Sequence, residues 1–455
     1  MALVFSSLSL VWVLFLGSRF LLTNATLQFQ EYLPWLEGLG LSYRLGVDGL
    51  SFPLIALNTL LTTLAIYSSS ETIHRPRLYY GILLLLSSAV SGAFLADNFL
   101  LFFLFYEVEL IPLYLLIAVW GGAQRSYAAT KFLIYTAISG VLVLAACFGT
   151  AWLGGSFTFD YSTLASHSLP LVQQIVLLTL VILGFGIKIP LVPLHTWLPD
   201  AHVEASTPVS VLLAGVLLKL GTYGLLRFGL GLFPEAWQIL APWLASWAVV
   251  SVLYGSLTAI AQADMKKMVA YSSIGHMGYI LLAMAAATPL SLLGASMQML
   301  SHGLISAMLF LLVGVVYAKT GTRDLNALRG LLNPERGLPL IGSLMVLGVM
   351  ASAGIPGMVG FIAEFVIFRG SFPIFPVQTL LSMVGTILTA VYFLLLVNRA
   401  FFGRLSDNAQ NLPPVSWRDQ LPAFVLASLI VVLGIQPAWL TRWSEPAMTT
   451  LARLP

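Results

Sequence analysis

Long apolar runs, each broken by Gly, Pro or charge, divide this chain almost from end to end. A run of roughly 20 such residues is enough to cross a bilayer as a helix. The pattern predicts thirteen transmembrane helices, near 2–22, 49–69, 78–97, 99–119, 127–153, 172–199, 207–228, 240–262, 268–288, 291–318, 338–370, 378–402 and 421–440. The first has no positive charge ahead of it and no clear small-residue cleavage site after it, and is expected to be a retained helix rather than a secretory signal. The segment 23–47, with Tyr32, Trp35 and Tyr43, is expected along the outer surface. The expected fold is an all-α polytopic membrane protein, a single membrane domain over 1–455.

Composition removes the competing classes. Of 455 residues 59% are hydrophobic and only 9% charged, against roughly 25% charged in a soluble domain. A net charge of +3 over this length gives nucleic acid no field to follow. The lone cysteine, Cys147, excludes a disulfide framework, an iron–sulfur cluster and a thiolate zinc site built by this chain alone.

Loop charge sets the orientation. Thirteen lysines and arginines fall in one alternate set of loops, while the other set holds only Arg19, Arg44, Arg227, Arg369, Arg442 and Arg453. The richer side is expected to be cytoplasmic, with the N-terminus inside and the C-terminus outside. Topology alone accounts for these basic loops.

Six ionisable groups remain at membrane depth: Glu107, Lys188, Lys219, His276, His302 and Glu364. Glu107 lies about 12 Å and Lys219 about 18 Å into their runs at ~1.5 Å per residue. Each such group costs at least ~2.5–3.5 kcal/mol at mid-bilayer. An ion pair gluing two helices would explain Glu107 and one lysine, but not a row of both signs with histidines between. A buried lysine whose carboxylate partner can be moved or neutralised takes up and releases protons, which is relay chemistry. Glu109, two residues from Glu107 and roughly opposite on a regular helix, is expected to make an interhelical contact.

Two spans should break. Gly184, Gly186, Pro190 and Pro193 surround Lys188, and Gly354, Pro356, Gly357 and Gly360 precede Glu364. Pro190 cannot donate to the carbonyl of Gly186, Pro193 to that of Ile189, nor Pro356 to that of Ser352. Irregular backbone at this depth survives only against protein or a water-lined cavity. Counted from the third helix, the broken spans are fourth in consecutive groups of five, 78–228 and 240–402. Paired interruptions of this kind point to an internal repeat, and an odd number of helices makes it inverted.

The stretch Lys188-Ile-Pro-Leu-Val-Pro-Leu-His195-Thr-Trp-Leu-Pro-Asp-Ala-His202-Val-Glu-Ala-Ser-Thr-Pro208 resembles the signature of the antiporter-like membrane subunits of respiratory complex I and its photosynthetic relative. Supporting matches are Gly46-Val-Asp-Gly-Leu-Ser51, Tyr106-Glu107-Val-Glu-Leu-Ile-Pro112, Lys219 before Gly-Thr-Tyr-Gly-Leu-Leu-Arg227, the run from Asp264 through His276 to Gly278, and Ser301-His302-Gly-Leu-Ile-Ser306. The resemblance covers about 41–440. His302 and Glu364 look like the chain-4 (NuoM/NdhD) branch, where other branches carry lysine. With Tyr127-Ala-Ala-Thr-Lys131 and Thr322-Arg-Asp-Leu325, the chain looks most similar to the cyanobacterial members, including the form in CO2-uptake complexes. The family has fourteen helices against thirteen counted, so its usual first helix is expected to be absent.

The resemblance implies that Glu107 and Lys188 are the interacting pair of a first half-channel. Lys219 is then the central lysine, His276 and His302 the link onward, and Glu364 the terminal site. It implies proton translocation driven by electron transfer to quinone or plastoquinone elsewhere in an NAD(P)H- or ferredoxin-quinone oxidoreductase, with no redox chemistry and no cofactor in this chain. Quinone and iron–sulfur clusters belong to other subunits. The implied partners are neighbouring membrane-arm subunits, the lipid bilayer and a CO2-hydration module, in a thylakoid or bacterial inner membrane. Driving one charge against 100 mV costs ~2.3 kcal/mol, within reach of one ion pair worth ~4 kcal/mol at 4 Å and an effective dielectric of 20. A multi-subunit Na+/H+ antiporter is the alternative, since related subunits work without a redox partner. A b-type cytochrome using His276 and His302 is a weaker one. His195 and His202 lack an evident third ligand for zinc, and helix-end hydrogen bonding is expected of both. His74 and His167 are expected in loops.

Overall fold

The computed structural model describes residues 1–22, 26–69, 72–155, 157–166, 169–405 and 412–453; His167 lies outside them. Helix α1 (Ala2–Arg19) leads through strands β1 (Gln28–Leu36) and β2 (Leu41–Val47) to α2 (Ser51–Tyr67), α3 (Pro76–Leu95), α4 (Phe99–Val108), α5 (Leu110–Trp120), α6 (Arg125–Leu153) and the short α7 (Tyr161–Ser166). There follow α8 (Leu171–Lys188), α9 (Trp197–Glu204), α10 (Thr207–Leu212), α11 (Leu218–Gly224), α12 (Pro234–Ile260), α13 (Met265–Ala286) and α14 (Pro289–Thr320). The chain ends in α15 (Pro339–Ser352), α16 (Val359–Ser371), α17 (Pro376–Ala400), α18 (Trp417–Ile435) and α19 (Ala438–Leu451). Among the described residues eleven helical spans are long and apolar enough to cross a membrane, with α4–α5 forming one and Thr207–Leu230 another. Two shorter apolar helices, Ser51–Tyr67 and Pro339–Ser352, stand at the other two expected places.

Local chemistry starts and stops the helices where the site needs them. The Asp264 side chain accepts from the amides of Lys266 and Lys267 and so opens α13, satisfying N–H groups that have no partner within the helix. Thr288 and Ser291 form a capping box for α14, which runs to Gly321, left-handed at φ +73°. The apolar window of Thr207–Leu230 is wholly buried, and those of α13 and α14 are 94% and 89% buried, whereas that of α1 is 11% buried. Lys219, His276 and His302 therefore ride on the three most enclosed spans.

The expected grouping of loops holds at both ends. At one end Arg44 and Asp97 lie 2.9 Å apart and Arg227 pairs with Asp48. At the other, Lys131 meets Asp200 at 2.7 Å, Arg323 meets Asp264 at 2.7 Å and Lys319 meets Asp419 at 3.1 Å.

Two features depart from the all-helical expectation. Residues 28–47 form an antiparallel hairpin, with Tyr32 opposite Arg44 and Leu33 opposite Tyr43. Its second strand is held by Ser42 donating to Asp160 and by the Asp97 amide donating to the Arg44 carbonyl, while Tyr32 and Trp35 are exposed. Second, the 99–119 run is two helices meeting at Glu109. Pro112 has no N–H for the Val108 carbonyl, so the ladder skips there.

Candidate proton path

Both expected breaks are present, and at the first, two carbonyls have new donors. After α8 ends at Lys188, the Gly186 carbonyl accepts from the Leu191 amide at 2.9 Å in place of Pro190, and the Ile187 carbonyl accepts from Trp197 Nε1 at 2.9 Å. Between α15 and α16, Gly354 and Gly357 take φ +70° and +93°, conformations open to glycine and strained for other residues. The Ser352 carbonyl, which Pro356 cannot serve, lies 3.3 Å from His276 Nε2.

The first cluster corrects the expected pairing. Lys188, 1% exposed, forms an ion pair with Glu109, 0% exposed, and not with Glu107. The two carboxylates lie roughly opposite on the helix, so only one can face α8: Glu109 does, and Glu107 is turned toward α6. Glu109 does make the interhelical contact expected of it. Glu107 is half-buried beside Gly140 of α6, where an added Cβ would strike its carboxylate, and its Oε1 has no hydrogen-bond partner. The Lys188 ammonium also stands 4.8 Å from the Tyr106 ring centroid, an attraction that desolvation strengthens. The Tyr106 hydroxyl meets Ser139 Oγ at 2.7 Å, and Ser139 donates to the Gly184 carbonyl at 2.7 Å, tying this cluster to the first break.

The second cluster is a row of four buried groups. Lys219 sits on α11 between two π-helical stretches, Leu213–Leu217 and Leu225–Leu230, a wide winding frequent at functional positions. Its Nζ donates to the Ala214 carbonyl at 2.6 Å and lies 2.7 Å from His302 Nδ1. A protonated Lys219 can only donate, so while it holds its proton Nδ1 is the acceptor and the hydrogen of a neutral His302 lies on Nε2. The His302 and His276 rings are 5.5 Å apart between centroids. His276 Nδ1 lies 2.7 Å from the Ser272 carbonyl and so carries hydrogen. Its Nε2 faces the Ser352 hydroxyl at 3.4 Å, the Ser352 carbonyl at 3.3 Å and Glu364 Oε1 at 3.7 Å. Glu364 Oε2 accepts from Thr386 at 3.0 Å, and Thr386 meets the Tyr279 hydroxyl at 3.3 Å. Lys219, His302, His276 and Glu364 are all buried.

Ser352 lets His276 hold either protonation state. A neutral His276 accepts at Nε2 from the serine hydroxyl; a protonated one donates at Nε2 to the serine carbonyl and faces the carboxylate of Glu364. The two clusters meet at Gly221 on α11, where an added Cβ would lie 3.2 Å from Lys188 Cβ. No hydrogen bond among the described groups joins Lys188 to Lys219.

Other polar residues stand out only in three dimensions. His202 is fully buried and stacked on Phe310 at 4.4 Å, and neither of its ring nitrogens has a partner. This corrects the expected helix-end hydrogen bond, and His195 Nδ1 is likewise unpartnered. Thr386, Ser352 and Gln298 of the second cluster carry no charge to mark them within an apolar run. Among the described residues no three His, Cys, Asp or Glu converge on a metal position. The cavity between His276 and His302 is about 10 Å3, far too small for a porphyrin.

The model of a family described as NADH:quinone oxidoreductase/Mrp antiporter, TM, matches residues 96–389. The chain is 43% identical over 439 residues to NAD(P)H-quinone oxidoreductase chain 4 2 of Thermosynechococcus vestitus, covering 94% of this chain and 82% of that one. It is 42% identical over 434 residues to NAD(P)H-quinone oxidoreductase chain 4 3 of Trichormus variabilis, covering 92% and 79%. In three dimensions it is similar to a chain of respiratory complex I from Thermus thermophilus with bound NADH, with a TM-score of 0.91 at 29% identity over 100% of this chain and 94% of that one. A chain of the Mrp complex from Dietzia sp. DQ12-45-1b shares the fold, with a TM-score of 0.88 at 21% identity over 99% and 92% of the two chains. The sequence matches, the buried spans and the broken helices agree: this is an integral multi-pass membrane protein, and it belongs to the NADH:quinone oxidoreductase/Mrp antiporter family.

Proposed function

We propose that this chain is a proton-translocating membrane-arm subunit of an NAD(P)H-quinone oxidoreductase of the complex I type, as its chain-4 relatives are named. The observation that supports this most is the buried row of Lys219, His302, His276 and Glu364, in which Lys219 meets His302 at 2.7 Å, the two imidazole centroids lie 5.5 Å apart and His276 stands 3.7 Å from Glu364. Electrons pass to quinone in other subunits, and this chain holds and moves protons. A change in the electrostatic field along the membrane arm loosens or tightens the Glu109–Lys188 pair. That alters how strongly nearby Lys219 holds its proton. Lys219 gives the proton toward His302, His276 takes it up by turning from the Ser352 hydroxyl to the Ser352 carbonyl, and Glu364 receives it. Glu107, close to Lys188 but unbonded, is the second carboxylate to which the ammonium can turn.

Two finer readings belong with this one. Residues 78–228 and 240–402 form an inverted repeat, favoured by the break at Lys188 and the break before Glu364 at matching places. The cyanobacterial sources of the relatives favour a thylakoid membrane. Isolation of the intact complex with its subunits identified would reveal whether a CO2-hydration module is among the partners.

The test is the Lys219→Ala variant of the intact complex in closed vesicles. Proton uptake per quinone reduced should collapse while quinone reduction continues. Pumping at the wild-type ratio would refute the relay. Transport that needs sodium and proceeds without an electron donor would favour an antiporter instead.

A further inference from the structure

Three polar atoms beside the second cluster are buried without a hydrogen-bond partner: Gln298 Oε1, Ser301 Oγ and His302 Nε2. Their residues line one cavity together with His276, Ser352 and Glu364. Gln298 is 1% exposed and Ser301 0%. Gln298 and His302 are four apart on α14 and Ser301 lies between, so all three reach the same side of the helix. Buried polar atoms in folded proteins are almost always bonded, and three orphans around one space share one remedy. The cavity measures about 10 Å3, the room a single water requires, and its lining offers the two to four polar partners such a water needs.

The donors and acceptors match as well as the volume. While Lys219 is protonated, its contact with Nδ1 leaves the His302 hydrogen on Nε2, a donor. Gln298 Oε1 is an acceptor, and the Ser301 hydroxyl serves as either. Water is both donor and acceptor and satisfies all three.

We propose that this cavity is a built site for one water, held by Gln298 and Ser301, through which His302 passes its proton to His276. Gln298 is a positioning residue: it touches the water and carries no proton itself. In the step, Lys219 Nζ gives a proton to His302 Nδ1, and His302 Nε2 gives its proton to the water. The water gives one of its own to His276 Nε2. At His302 one N–H bond forms at Nδ1 and one breaks at Nε2, leaving it as its other tautomer; one N–H bond breaks at Lys219 and one forms at His276, which ends as the imidazolium, and the water is regenerated. This rests on the proton path proposed above.

The test uses the intact complex in closed vesicles with Gln298→Leu, Ser301→Ala and Gln298→Asn, and quinone reduction serves as the check on assembly. Gln298→Leu should lower protons moved per quinone by about tenfold or more, the range for a lost proton-transfer partner. Ser301→Ala should cost less, because Gln298 remains. Gln298→Asn, which keeps the amide and leaves room for a second water, should restore most of the loss; a merely structural role for Gln298 predicts no such rescue. High-resolution electron cryo-microscopy of the wild-type complex should place water density within hydrogen-bond distance of Gln298 Oε1 and His302 Nε2. Wild-type pumping in Gln298→Leu while Glu364→Gln fails to pump would overturn the water site and leave the path standing. Wild-type density without water there would overturn it too, even if Gln298→Leu does not assemble. Undiminished pumping in both Glu364→Gln and Lys219→Ala would overturn the path itself.

Discussion

His276 Nε2 lies 3.3 Å from the carbonyl oxygen of Ser352, the carbonyl that Pro356 leaves without its helical donor. A broken helix and a titratable ring thus meet at one atom. The break costs α15 a backbone hydrogen bond, worth about 1 kcal/mol net, and supplies an acceptor that a protonated imidazole can use at a depth where water is scarce.

That relationship predicts the behaviour of His276→Gln. The amide can keep the donor contact with the Ser272 carbonyl, so folding should change by under about 1 kcal/mol. It cannot take up a proton, so protons moved per quinone should fall by about tenfold or more with quinone reduction intact. Parallel measurement of quinone reduction and vesicle acidification decides the matter; unchanged acidification would exclude His276 from the row.

The two carboxylates of the first cluster should separate by experiment. Glu109→Gln leaves the buried Lys188 ammonium without its counter-ion, and breaking a buried pair from one side costs about 3–5 kcal/mol. The complex should assemble poorly or melt early. Glu107→Gln removes a carboxylate with an unpartnered oxygen, so stability should move by under about 1 kcal/mol while coupling weakens. Melting curves and acidification on the two variants check both halves; equal destabilisation would mean that Glu107 also neutralises Lys188.

At the end of the bundle that carries Asp48 and Arg227, Asp97 stands in the loop between α3 and α4. Burial pushes its carboxyl up to about 6 against the pull of Arg227 and Arg44, with Asp48 and Asp160 adding to the rise. A carboxyl raised in the folded state is held protonated there while the unfolded chain, at its ordinary 3.8, has already ionised. Stability is therefore greatest below 3.8, falls as pH rises toward about 6, and is flat above. Asp48 goes the other way: burial raises its carboxyl, but the Arg227 charge and the amides of Ser51 and Leu50 prevail and hold it below the usual range. Its contribution is present above the ordinary value and lost as pH falls through the lowered one. Melting temperature against pH should lose its decline between 4 and 6 in Asp97→Asn; the same slope in that variant would assign the titration elsewhere.

Much of this was legible along the chain, and the misses have one origin. Lys188, Lys219, His276, His302 and Glu364 stand out because a charge or imidazole within an apolar run has no solvent to explain it. Both breaks stand out because proline removes a named donor. Which carboxylate Lys188 meets was not legible: a helical wheel places Glu107 and Glu109 on roughly opposite faces but does not say which face the packing turns toward α8. The hairpin at 28–47 was hidden in a segment too short and mixed for a clear alternation, and it depends on Asp160 and Asp97, distant in sequence. Gln298 and Ser352 were invisible because an uncharged polar residue in a membrane helix is ordinary until its neighbours are known.

Gly221 supplies the last prediction. It lies two residues from Lys219 and against the end of α8, where an added Cβ would sit 2.8 Å from Ile189 Cγ1 and 3.2 Å from Lys188 Cβ. Only glycine lets α11 approach that closely. Gly221→Ala must push α11 away from Lys188 or displace Ile189, overpacking that costs about 1–3 kcal/mol. The Glu109–Lys188 pair and the Lys219–His302 contact lie on opposite sides of this wedge, so each should survive while their electrostatic coupling weakens with distance. The expected variant assembles, reduces quinone, and moves fewer protons per quinone. A structure of that variant should show α8 and α11 farther apart with both contacts kept. Full pumping with the helices separated would mean that the first cluster does not act on Lys219 across this contact.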